Sequence, residues 1–164
     1  MSYHTWSVDG YGICTSEIAT TVERIEELLK HAPVFSKKLH DDFLEWEIDE
    51  PNIYDYLGYD CDYYTGIAFI MKEVIKEAED IQLDIAENFD GDWYLLLCPW
   101  YPWTPVTERE KNLTIEEFEC IFRKYIRILT DDELIIEYQS VENGGWCYEY
   151  LHRITWCSRQ WKEI

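Results

Sequence analysis

The stretch IQLDIAENFDGDWYLLLC, residues 81–98, decides how the whole chain is read. Ile81, Leu83 and Ile85 alternate with polar neighbours, the two-residue period of a strand with one buried face. Asp90-Gly91 is a strong two-residue hairpin signal, because such turns need positive φ at their centre. WYLLLC then returns as the partner strand. The competing reading carries the preceding helix on through Ile85 and dissolves this hairpin.

Working outward, YHTWSVDGYGIC (3–14) is rich in aromatic and β-branched residues and reads as a first strand, loosened by Gly10 and Gly12. Thr15 or Ser16 is placed to cap a helix carrying Ile18, Val22, Ile25 and Leu29 at helical spacing, and Pro33 stops it. A short helix follows from about Ser36 to Phe43. Leu44, Trp46 and Ile48 alternate with Glu45, Glu47 and Asp49, which predicts a short strand with one acidic face. NIYDYLGYDCDYY (52–64) reads as a loop with a helical turn, and 65–79 as a helix presenting Ile67, Ile70, Met71, Val74 and Ala78. The three prolines of PWYPWTP (99–105) exclude regular structure. Thr114 and Glu117 form a capping box for a helix over 115–129. LIIEYQSV (134–141) and WCYEYLHRITW (146–156) read as strands joined by a hairpin at Asn143-Gly144-Gly145. The expectation is one domain over 1–164, of class α+β. It would have a mostly antiparallel sheet of four to five strands with two to three packed helices.

Composition supports a folded domain, with 47% hydrophobic and 16% aromatic residues. No apolar run approaches the roughly 18 residues of a membrane span, and no basic-then-apolar leader opens the chain, so a cytoplasmic location without membrane contact is expected. The six cysteines form no C-x-x-C pair and are expected as reduced, mostly buried thiols.

Charge is the most informative feature. The net of −20 is concentrated in residues 41–92, which hold 17 acids against Lys72 and Lys76 alone. A surface of that sign repels phosphate backbones and attracts basic protein surfaces, so direct nucleic-acid binding is disfavoured. On the expected strand, Glu45, Glu47 and Asp49 would form a comb of carboxylates about 6–7 Å apart, comparable to two rises of a nucleic-acid strand. Asp41, Asp42, Glu50, Asp55, Asp60 and Asp62 would extend it. Trp100, Tyr101 and Trp103, in a loop stiffened by proline, are candidate contact anchors.

Catalytic chemistry leaves no comparable mark. There is no G-x-S-x-G, H-E-x-x-H, Walker or dinucleotide fingerprint, and the protein is expected not to be an enzyme and to need no cofactor. Cys147, His152 and Cys157 are spaced C-x4-H-x4-C, but an unbroken strand would turn the histidine away from both thiols. Asn88-x-Asp90-x-Asp92 opens like a calcium loop, yet the place of its bidentate glutamate is Pro99. A hairpin turn accounts for these residues, and no metal site is expected.

MSYHTWSVDGYGIC, WYLLLCPWYPW and IIEYQSVENGG resemble segments of small acidic proteins from Gram-positive bacteria and their phages or prophages. The resemblance is to a type of protein and transfers no catalytic residue. It implies an inhibitor of host defence, anti-CRISPR proteins being the analogy, that occupies the basic groove of a nucleic-acid-binding protein. The alternatives are a small-ligand or housekeeping domain whose acidity serves solubility, and a metal-dependent enzyme using clustered Asp and Glu.

Overall fold

A computed structural model describes residues 3–59, 66–98 and 107–146. Strand β1 (Tyr3–Cys14) is followed by α1 (Val22–Leu29), α2 (Pro33–Glu45), α3 (Ile53–Leu57) and α4 (Gly66–Glu79). Then come the hairpin strands β2 (Asp84–Glu87) and β3 (Trp93–Leu97), helices α5 (Glu108–Lys111) and α6 (Ile115–Leu129), and β4 (Glu137–Trp146). The four strands form one antiparallel sheet in the order β2-β3-β1-β4. The class is α+β, with four strands as expected and six helical segments among the described residues instead of two to three. No helix of the described residues is long and apolar enough to cross a membrane.

Alternation along the strands divides the core in two. Ile13, Ile85 and Leu95 face the helices and pack with Leu28 of α1, Ile70 and Val74 of α4, and Phe118 and Phe122 of α6. Val8, Ala86, Leu96, Cys98 and Val141 form a second cluster on the other face. The outer strands approach one another there, since the Asn143 side-chain amide donates to the Glu87 carbonyl at 2.8 Å. The sheet is therefore rolled around its smaller cluster. Gly12 makes the closeness of β1 and β3 possible: a Cβ there would fall 1.9 Å from the Leu95 carbonyl oxygen.

Several expectations are corrected. Residues 44–49 are not a strand; Leu44 and Glu45 end α2, and the chain turns at Trp46 and Glu47. Residues Asn143–Gly145 do not make a hairpin. They continue β4, which pairs without interruption against β1 from Glu137 opposite Gly12 to Trp146 opposite Tyr3. A twelve-residue β1 demands a long partner, and that ladder overrides the local turn preference. Helix α1 starts later than expected, capped by Thr21, whose hydroxyl accepts from Arg24 N at 3.4 Å. Thr15 and Ser16 instead bind Trp93 and extend the β1–β3 ladder.

The hairpin at 84–97 is as read, although Ile81 and Leu83 precede β2 and its connection spans 88–92 rather than two residues. Helix α4 does not continue to Ile85; Asp80 takes φ 54° and ends it. Among the described cysteines, Cys98 is buried while Cys120 is exposed on α6. The C-x4-H-x4-C set at 147–157, the 99–105 loop and the strand expected over 146–156 beyond Trp146 lie outside the described residues.

Candidate functional site

Between Lys38 and Lys72 the sequence has no lysine or arginine and nine carboxylates. The described part of this stretch is the end of α2, the turn after it, α3 and the start of α4. Helix α2 begins with Pro33 at its first position, where a missing N–H costs nothing. It has no side-chain cap of its own. Glu77, projecting from α4, accepts from Val34 N and Phe35 N, each at 2.9 Å, and closes that end.

The other end closes in a Schellman motif. Ile48 N donates to Phe43 O at 2.8 Å and Glu47 N to Leu44 O at 3.1 Å. This motif needs a left-handed residue, and Glu47 fills the place with φ 59°, where glycine has no steric cost. The carboxylates of Glu45 and Glu47 also lie at the negative end of the helix dipole, with no basic residue in the last turn. Local stability is sacrificed twice at this point. Glu47→Gly is expected to raise stability by about 1 kcal/mol, read as a higher denaturant midpoint. An unchanged or lower midpoint would mean that the Glu47 side chain has a compensating contact.

The predicted acidic residues separate into two groups. Asp42 accepts from the Tyr59 hydroxyl at 2.5 Å, Asp55 accepts from Asn52 N at 2.7 Å in the capping box of α3, and Asp41 pairs with Lys37. These three have structural partners. Glu45, Glu47, Asp49 and Glu50 are exposed and have no ion pair among the described residues. They wrap a turn instead of spacing along a strand, so no regular comb exists. Asp60, Asp62, Trp100, Tyr101 and Trp103 lie outside the described residues.

The exposed apolar residues here are ones that alternate with the acids of the expected strand. Leu44 is 65% exposed and Trp46 52%. Trp46 caps a run of rings that reaches into the core, with centroids 6.2 Å from Phe43 and 5.9 Å from Tyr59. Phe43 in turn meets Tyr56 at 5.2 Å, edge to face.

Beneath the turn, Glu26 of α1 joins two other helices. Its Oε1 accepts from His40 Nε2 of α2 at 2.9 Å and from the Tyr56 hydroxyl of α3. Burial, reinforced by the bond to Glu26, holds Tyr56 well above the ordinary tyrosine range. Ser36, His40 and Glu26 follow the order of a nucleophile, base and carboxylate, with Ser36 Oγ 3.3 Å from His40 Nδ1. The same Nδ1 lies only 2.7 Å from the Ser36 carbonyl oxygen, which can only accept. With the carbonyl nearer than the hydroxyl, the ring nitrogen is turned toward the backbone more closely than toward the serine Oγ.

At the hairpin, Asn88 Oδ1 accepts from Asp90 N and Asp92 N, both at 2.9 Å, so this oxygen serves the turn. No group of three or more metal-ligating side chains occurs among the described residues. The chain matches no family model, no curated protein and no solved structure.

Proposed function

We propose that this protein is a non-enzymatic acidic binding protein that docks on a basic, nucleic-acid-binding surface of another protein and excludes nucleic acid from it. The observation that carries the reading is the exposed, unneutralised turn of Glu45, Glu47, Asp49 and Glu50 beside Leu44 and Trp46. Acidic proteins ordinarily interleave bases with their acids, and 33 residues without Lys or Arg depart from that pattern. Carboxylates steer encounter with a cationic surface and pair with its arginines, while a half-exposed tryptophan supplies area to desolvate. Exclusion rests on occupancy and charge, without a regular spacing matched to a phosphate backbone. The resemblance to small phage and prophage proteins favours an inhibitor of a host defence nuclease as the setting.

The test is capture of partners from a bacterial lysate by the tagged full chain, eluted with rising salt. It is run beside a variant carrying Glu45→Gln, Glu47→Gln, Asp49→Asn and Glu50→Gln. The expected result is a nucleic-acid-handling protein that leaves at moderate salt, is displaced by added nucleic acid, and binds the variant about tenfold or more weakly. Equal retention by both forms, or no partner for either, would reduce the acidic turn to ordinary solvated surface.

A further inference from the structure

We propose that the acidic turn selects arginine over lysine on its partner, by stacking a guanidinium on the open face of Trp46 within reach of Glu45 and Glu47. This selection rests on the docking function proposed above and names the side chain that the turn recognises. The Trp46 indole is held from beneath. Its centroid stands 5.9 Å from that of Tyr59, tilted by 41°, and 6.2 Å from that of Phe43, at 62°. Both supporting rings are buried, while Trp46 itself is half-exposed. An aromatic ring already ordered by its neighbours loses little entropy when a ligand settles on it. Among the described residues the cation stacked on a ring is Lys124, over Tyr125, so no described base of this chain covers the indole.

Acids stand on both sides of Trp46 in the chain, with Cα atoms about 3.8 Å from its own. Neither Glu45 nor Glu47 has an ion pair among the described residues. Trp46 N donates to Asp42 O and Glu47 N to Leu44 O, so the three residues wrap the end of α2, where the helix dipole is negative. A cation arriving there meets an electron-rich ring face and carboxylates together. The two basic side chains use that combination differently. A guanidinium is planar and weakly hydrated; it lies flat on an indole while its N–H edge stays available to fork onto a carboxylate. An ammonium is a compact, strongly hydrated point charge and must shed water to approach the ring.

The experiment titrates the full chain with hexa-arginine and hexa-lysine, both capped at their ends, by calorimetry, and follows the Trp46 indole N–H by NMR. The unaltered protein is expected to prefer hexa-arginine. That preference should shrink about twofold to fivefold in Trp46→Leu, with the affinity for hexa-lysine little changed. Leucine keeps an apolar side chain and removes the π face. Should that variant fold poorly, the unaltered protein still decides, because hexa-arginine should shift the Trp46 indole signal more than hexa-lysine does at equal saturation. An undiminished preference in Trp46→Leu, or an indole signal that hexa-arginine leaves in place, overturns the stacking. The variant with Glu45→Gln, Glu47→Gln, Asp49→Asn and Glu50→Gln separates selection from docking. If it binds both peptides more weakly while Trp46→Leu keeps the full preference, docking stands and arginine selection falls. If it binds both as tightly as the unaltered protein does, the turn is no cationic docking surface and both fall.

Discussion

Replacing Gly66 by alanine will lower stability by roughly 3 kcal/mol, or on the order of 10 °C in melting temperature. Gly66 opens α4 directly against the end of α3. A Cβ built there would lie 2.1 Å from Leu57 Cα and 2.2 Å from Leu57 O. Both obstructing atoms are backbone, so no rotamer change relieves the clash, and the two helices would have to part. Separation would pull at Tyr56 and at Ile67, both buried in the main cluster. Calorimetry and denaturant melts of the single substitution measure the loss. A change below about 1 kcal/mol would mean that the junction yields more easily than a packed interior does.

This requirement could not be read beforehand, because Gly66 sits in a helical pattern where glycine looks merely unhelpful. Much else was legible. The capping box at Thr114 and Glu117 is local chemistry, and Thr114 Oγ1 and the Glu117 carboxylate bond as anticipated. The hairpin around Gly91 was legible for the same reason, since its φ of 84° asks for glycine. Failures arose where a distant partner decides the outcome. Asn143-Gly144-Gly145 carries a strong turn preference, yet β1 passes opposite it and takes it into the ladder. Leu44, Trp46 and Ile48 alternate like a strand, yet no strand among the described residues pairs with them. Phe35, Leu39 and Phe43 share the helical period that does find a core, and α2 runs on through Glu45.

The candidate site was legible as a charge anomaly and illegible as a geometry. Counting acids in 41–62 could not tell which ones the fold consumes. The structure shows a recurring use: tyrosine hydroxyls donate to carboxylates in Tyr11–Glu119, Tyr56–Glu26, Tyr59–Asp42 and Tyr125–Glu79. The chain has 14 bases for 34 acids, and among the described residues these four tyrosines take up part-buried carboxylates in place of Lys and Arg. Sequence does not say which oxygen meets which ring: Tyr56 and Tyr59 reach back to Glu26 and Asp42 rather than to the aspartates interleaved with them. Subtracting the engaged acids is what isolates Glu45, Glu47, Asp49 and Glu50.

Phe43→Ala will cost about 3–5 kcal/mol and will act on the acidic turn more than on the rest of the molecule. Phe43 is 2% exposed and stands at the centre of a ring cluster, with Tyr56, Tyr59 and Trp46 at 5.2, 5.7 and 6.2 Å. Truncation removes the surface on which all three lean and leaves a cavity between α2 and α3. Its backbone carbonyl still accepts from Ile48 N, so the turn keeps its hydrogen bond while losing its footing. Phe43→Leu separates the contributions: it restores most of the volume without the edge-to-face contacts, and should recover more than half of the loss. Denaturant melts give the totals, and hydrogen exchange over 44–58 shows whether the damage is local. Uniform loss of protection across α6 and the sheet would place Phe43 in the global core instead. In that case the turn would be as rigid as the body that carries it, and its carboxylates would meet a partner already fixed in place.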